Sequence, residues 1–156
     1  MTIVTPEESL RVLIPPDPGT ARCRKVLFAS AHSIVDFSNG ASVATLDLLQ
    51  RLASLGFETQ AFCTPKLDFH HEVCFEKIVG DLHEPYHITP SVCGVHRARV
   101  LYTRRQRVPI TVIRLESTRM TSQRPEEGRA VLGFFGKFLE VNRPDAILTY
   151  GGDPIT

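Results

Sequence analysis

What this chain lacks narrows it first. No apolar run approaches the ~18 residues that a membrane-spanning helix needs. Residues 1–10, with Glu7 and Glu8, offer no positive start followed by an apolar core, so they do not read as a secretory signal. Neither sign of charge is in excess: 18 Lys and Arg against 17 Asp and Glu leave a net charge of +1, and nothing global points to nucleic acid or an anionic membrane surface. Cysteine is sparse. Cys23, Cys63, Cys74 and Cys93 form no CxxC pair, which suits reduced thiols, with Cys63 a small core residue in a strand. His70 and His71 with Cys63 and Cys74 match no zinc spacing, so no metal is expected. G-x-G-x-x-G, G-x-x-x-x-G-K-[ST] and G-x-S-x-G are all missing, which sets aside the dinucleotide fingerprint, the P-loop and the serine-hydrolase elbow. Internal repeats and low-complexity tracts are absent as well.

What remains is an ordinary globular composition over 156 residues, enough for one domain with a sizeable core. Its clearest unit runs from Lys25 to Cys63. Lys25–Ser30 reads as a buried strand, Ala41–Leu55 as a helix capped by Ser38 or Asn39, Gly56 as the residue that ends it, and Phe57–Cys63 as a second strand. A strand, helix and strand in this order predict a parallel α/β sheet. Such sheets bind ligands beyond the carboxyl ends of their strands, where the loop from Ser30 to Asn39 lies. That loop is longer than usual for a strand-to-helix connection, and excess length there is often functional. Ser30, His32, Asp36, Ser38, Asn39 and Gly40 are its candidate site residues; a glycine at a helix start lets backbone N–H groups approach phosphate or polar hydroxyls. The plain alternative is a cap and a turn.

Further along, Phe69–Asp81 is expected to hold a helix, and Pro85, Pro90 and Gly94 to mark turns around a loop. Arg97–Tyr102 and Val108–Leu115 read as strands joined in a β-hairpin near 97–115, with Pro109 at an edge or a strand start. Arg97, Arg99, Arg104, Arg105 and Arg107 read as a solvated hairpin turn rather than a phosphate or nucleic-acid site. A helix from Pro125 carries the apolar stripe Val131, Leu132, Phe135, Phe138 and Leu139. Its Gly133 and Gly136 suggest close packing on a neighbour. Arg143-Pro144 ends it, and Ala146–Tyr150 reads as a strand at the centre of the sheet. Gly151-Gly152-Asp153 follows, a second site candidate at a strand end. Asp153-Pro154 looks like a helix start, so the sequence reads as the first part of something longer. Residues 1–24 read as a leader, linker or edge segment, with Leu10–Ile14 as a short edge strand.

Three phrases carry a resemblance: Lys25–Ser30 followed by Asn39-Gly40-Ala41-Ser42; Leu52–Thr59; and Phe138–Gly152. In that order and spacing the chain resembles the N-terminal half of a family-four GT-B glycosyltransferase, from about Lys25 to its end. The resemblance implies a Rossmann-like αβα sandwich over residues 25–156, facing a C-terminal donor-binding domain of the same polypeptide. It implies transfer of a sugar from a UDP- or GDP-sugar to an unknown carbohydrate, lipid or small-molecule acceptor. It places Ser38, Asn39 and Gly40 toward the donor phosphates, and Ser30, His32, Asp36, Gly151, Gly152 and Asp153 on the acceptor side. No metal and no resident cofactor are implied, and a cytoplasmic location is expected, either free or peripheral to the inner membrane face. Relatives often carry a double glycine in the first loop and a histidine after a late strand. This chain has neither, so no catalytic residue is assigned and the chain alone is expected to be inactive. Two other readings stand beside this one: a non-enzymatic Rossmann-like ligand-binding domain, and a small flavodoxin-like cofactor-binding protein.

Overall fold

The computed structural model describes residues 24–35, 39–66, 80, 84–116 and 125–149. Among them, one sheet of six strands is flanked by helices on both faces. The elements in chain order are β1 (Lys25–His32), α1 (Gly40–Ser54), β2 (Glu58–Lys66), β3 (Tyr86–Cys93), β4 (His96–Arg105), β5 (Val108–Leu115), α2 (Pro125–Asn142) and β6 (Ala146–Thr149). No helix among the described residues is long and apolar enough to cross a membrane.

The sheet order is β3-β4-β5-β2-β1-β6. β1 pairs in parallel with both β2 and β6, and β2 pairs in parallel with β5; β4 alone runs the other way, as the middle strand of an antiparallel meander. Counted by themselves in chain order, the four strands of the parallel ladder lie 3-2-1-4, the order of a Rossmann half. A flavodoxin-like order would put the third parallel strand beside the first. Here that place belongs to β6, which removes the flavodoxin-like reading.

Alternation of side chains splits the core in two. On one face Phe28, Ala61, Cys63, Ile110 and Val112 pack against Leu46 and Leu49 of α1. On the other, Leu27, Phe62, Ile113 and Leu115 pack against Val131, with Phe134, Phe135 and Phe138 of α2 laid over them. Phe62 is the centre of that second layer: its ring lies 6.2, 4.9 and 5.0 Å from those of Phe134, Phe135 and Phe138. The stripe of α2 therefore includes Phe134, while Leu132 of the expected stripe is exposed.

Helix α1 buries a narrower stripe than its apolar content suggests. Ser42, Thr45, Leu46 and Leu49 face inward, at the spacing of one helical face, whereas Val43, Leu48 and Leu55 are exposed. Its C-terminus closes as a Schellman motif. Gly56 N–H donates to Ala53 O and Phe57 N–H to Leu52 O, both at 3.1 Å, with Gly56 at φ +94°, a conformation that glycine takes without a Cβ penalty.

Several expectations change. The loop expected around Pro85, Pro90 and Gly94 is strand β3, and Gly94 makes the turn into β4. Pro90 is tolerated because β3 is the sheet's outer strand, where a missing N–H breaks no interior ladder. Pro109 stands at the start of β5, one residue before its pairing with β2 begins at Ile110. The strand expected at the sheet's centre is β6, which lies at its margin with Ala146–Thr149 alternately half-buried and exposed. Gly133 and Gly136 are not close-packed: a Cβ at either would meet nothing within 4 Å. Residue 143 ends α2 in the left-handed region, at φ +45°, ahead of Pro144. The expected helix in Phe69–Asp81 is described only at Gly80; Leu10–Ile14, Cys23, His70, His71, Cys74, His83 and Tyr150 lie outside the described residues.

Asp145 ties the last strand to the first. Its carboxylate accepts from Arg24 N–H at 2.7 Å and Lys25 N–H at 2.9 Å, and its own N–H donates to Lys25 O at 2.9 Å. These backbone donors, Lys25 first and then Arg24, hold its carboxyl below the usual carboxylate range.

Candidate functional site

Strand order fixes where a ligand would sit. From β1 the chain steps through β2 to β5 on one side and returns to β6 on the other. That reversal is a topological switch point, and the crevice beyond the carboxyl ends of β1 and β6 is the expected binding place. Ala29 lies opposite Thr149 there, Ser30 opposite Cys63, and His32 opposite Lys66.

The rim is built by short polar side chains turned inward. Ser30 is fully buried, and its hydroxyl accepts from His32 N–H at 2.9 Å. The β1–β2 register shifts between these two residues, an irregularity of the kind that re-aims side chains beside binding sites. Thr64 donates its hydroxyl hydrogen to Ala31 O. Ser33 is held from three sides: its N–H donates to Lys66 O at 2.8 Å, its hydroxyl accepts from Val35 N–H at 3.3 Å, and its carbonyl accepts from Ser42 Oγ at 3.0 Å. Ile34 and Val35 then tuck under α1 into the core. The first part of the long loop is thus a fixed turn between β2 and α1.

Below that turn lies Cys63. Burial pushes its thiol up to about 11, against the smaller opposing effects of hydrogen bonds from the Ile34 backbone and the Ser33 side chain. It is a neutral core thiol at physiological pH, not a nucleophile.

Asn39 caps α1, its Oδ1 accepting from Ala41 N–H at 2.8 Å, so its side chain is committed to the helix. Gly40 is exposed; a Cβ there would meet nothing within 4 Å, and its φ is not one that demands glycine. No acidic residue lies in the first turn of α1, so nothing there offsets the positive end of the helix dipole. His32 and Lys66 are half-buried side by side at the strand ends. Asp36, Ser38, Gly151, Gly152 and Asp153 lie outside the described residues. Of the expected residues, then, Ser30, His32, Asn39 and Gly40 are placed at the carboxyl rim beside the switch point, Ser30 and Asn39 as parts of its framework. Ser33, Ser42 and Thr64 were not singled out from sequence. The one signal they offered was a hydroxyl on an otherwise apolar face.

Chemically this rim can bind and orient. Its donors are backbone N–H groups and a helix start, with His32 and Lys66 alongside. Among the described residues no three of His, Cys, Asp and Glu gather as a metal site. The arginines read together in the sequence are divided by strand alternation: Arg97, Arg99 and Arg105 share one face of β4, while Arg104 shares the α2 face with Tyr102.

No protein-family model matches the chain, and no curated protein does. Among solved structures, the chain is similar to the catalytic domain of starch synthase IV from Arabidopsis thaliana bound to ADP and acarbose, with a TM-score of 0.50 and 12% identity. The match covers 83% of this chain but 28% of that one, so the chain spans well under half of its structural neighbour. At this identity the likeness is one of fold: a GT-B-like, Rossmann-like α/β unit.

Proposed function

We propose that this chain is the N-terminal, acceptor-side domain of a GT-B glycosyltransferase of the family-four type. It would act with a C-terminal donor-binding domain of the same polypeptide. A UDP- or GDP-sugar would supply the glycosyl group and a hydroxyl on a carbohydrate, lipid or small molecule would receive it, in the cytoplasm or at the inner membrane face. The supporting observation is the combination of a 3-2-1-4 parallel ladder with a glycine at the switch-point helix that the protein's own packing does not require. Fold likeness to a glycosyltransferase catalytic domain adds to it, although fold alone does not determine chemistry. The domain's part would be orientation, which supplies much of the rate when two substrates must meet.

In the mechanism, the backbone N–H groups at the start of α1 would face the donor's phosphates, where the helix dipole favours negative charge. His32, Lys66 and the segment after Thr149 would hold the acceptor. Asp36, Ser38, Gly151, Gly152 and Asp153 belong to the same proposal.

The test is titration of the 15N-labelled chain with UDP-glucose, GDP-mannose and maltotriose. Shifts gathered at His32, Ser33, Asn39–Ser42 and Thr149, with no sugar transfer above the blank, are expected. Robust transfer by the chain alone, or an unperturbed rim with every probe, would overturn the reading. Gly40→Ala sharpens it. Stability should change by under about 0.5 kcal/mol, since a Cβ has room and alanine favours the helix, while nucleotide-sugar shifts at the rim weaken several-fold. Unchanged shifts would remove Gly40 from the site.

A further inference from the structure

At the opposite, amino end of the sheet lies a second concavity that the proposed transfer does not use. Two cavities, of about 330 and 450 Å³, adjoin there, both bordered by Tyr102 and Thr111. One reaches the β3–β4 edge at His87 and Arg104. The other runs under the last turns of α2 to Gln60 and Lys137.

Its chemistry is of three kinds. First, the rings of His87 and Tyr102, opposite each other on β3 and β4, stack at 4.8 Å and 20°, leaving an aromatic surface against which the C–H face of a sugar can pack. Second, the amide of Gln60 and the hydroxyls of Tyr102 and Thr111 can bond hydroxyl groups. Third, the charged side chains bordering the two cavities are both cationic, Arg104 and Lys137. Both are exposed, and neither is held in an ion pair with a described residue. Arg104 follows Tyr102 by two residues on the same strand face, and Lys137 stands on α2 across the groove. Tyr102 borders both cavities, with Arg104 on the one and Lys137 on the other. Glu84, just outside the groove, acts instead on Arg105.

We infer that this groove binds an anionic oligosaccharide, its ring packed on the His87–Tyr102 stack and its acidic groups reaching Arg104 and Lys137. A single-stranded nucleic acid fits less well. It would need a track of cations along its backbone and successive stacking platforms, and the described residues of the groove offer two cations and one ring pair. The groove lies at the end of the sheet away from the switch point, so the inference does not rest on the glycosyltransferase reading.

Calorimetric titration of the full chain tests it, with a heparin-derived hexasaccharide as the sulfated probe and a hexagalacturonate as the carboxylated one. Maltohexaose serves as the neutral comparison and a short oligothymidylate as the nucleic-acid comparison. At least one anionic glycan should bind about tenfold tighter than maltohexaose, since charge-assisted bonds are stronger than neutral ones, and weaken as salt rises. The two anionic probes separate sulfate from carboxylate recognition. Arg104→Gln and Lys137→Gln, at exposed positions that spare the fold, should each weaken it several-fold and flatten the salt dependence. His87→Ala should weaken it while leaving the salt dependence in place. Arg51→Gln, an exposed change on α1 at the other face of the sheet, should change nothing. Failure of both anionic glycans to bind, equal binding of maltohexaose, tighter binding of oligothymidylate, or indifference to the Arg104 and Lys137 changes would each overturn the inference.

Discussion

Asp145 is one residue whose chemistry reaches across the whole chain. Two backbone N–H groups at the start of β1 hold its carboxylate and depress its pKa in the folded state. A depressed carboxyl pKa means that the unfolded chain binds the proton more readily. Its contribution is fully present above the ordinary Asp value of about 3.9 and is lost as pH falls through the lower folded value. Asp145→Asn should therefore be less stable than the parent chain at neutral pH, and the gap should shrink toward strongly acidic pH. Urea melts at both pH values measure it; a constant gap would mean that the charge is not what matters. Cys63 has the opposite sign of behaviour. With its thiol raised to about 11, stability should be level up to the free-thiol value of about 8.5 and then fall as pH climbs toward 11, with Cys63→Ser removing that alkaline loss.

At the scale of elements, packing decides more than propensity. Phe62 is completely buried beneath three phenylalanines of α2. Phe62→Ala should cost about 3–5 kcal/mol through lost transfer energy and an unfilled cavity, read from chemical denaturation; a loss under about 1 kcal/mol would mean that α2 resettles. Gly133 and Gly136 point the other way. Both have open space where a Cβ would go, so alanine at each should raise stability by up to about 1 kcal/mol through helix propensity. A drop in stability would mean that something covers that face. The helices, the central strands and the Gly56 stop were legible because each carries a periodic or chemical signal of its own. β3 was not, since Pro85, Pro90 and Gly94 all speak for turns. Only its place at the sheet's outer edge, a tertiary fact, makes Pro90 acceptable. β6 misled for a related reason: a short, mostly apolar run looks alike at the centre and at the margin of a sheet.

For the whole molecule, one face of the sheet belongs to α1 and the other to α2, and the two ends of the strands have separate chemistry. The carboxyl end carries the switch point with Gly40, His32 and Lys66. The amino end carries the groove around Tyr102. Of the first, the positions of His32 and Gly40 were legible because a glycine and a cap after a buried strand are local in sequence, while Lys66 comes beside them only through strand pairing. The second was not, because His87, Tyr102, Arg104 and Lys137 come from three elements and meet only after the meander and α2 have packed. The inward hydroxyls of Ser33, Ser42 and Thr64 escaped notice likewise: Thr64 bonds a carbonyl on another strand, and Ser33 and Ser42 meet only once the loop has folded back onto α1.

The placement of β1 between β2 and β6 also sets a timetable for synthesis. β1 is made early, but one neighbour follows some thirty residues later, and the other, joined through Asp145 and Lys25, lies 120 residues downstream. The meander of β3, β4 and β5 relies on short-range pairing and can close as soon as it leaves the ribosome. That apolar strand must wait, one flank bare, until about 120 further residues have been translated. Distant pairings of this kind are slow to close and leave aggregation-prone edges in the meantime, so newly made chains should depend on chaperones that shelter exposed hydrophobic strands.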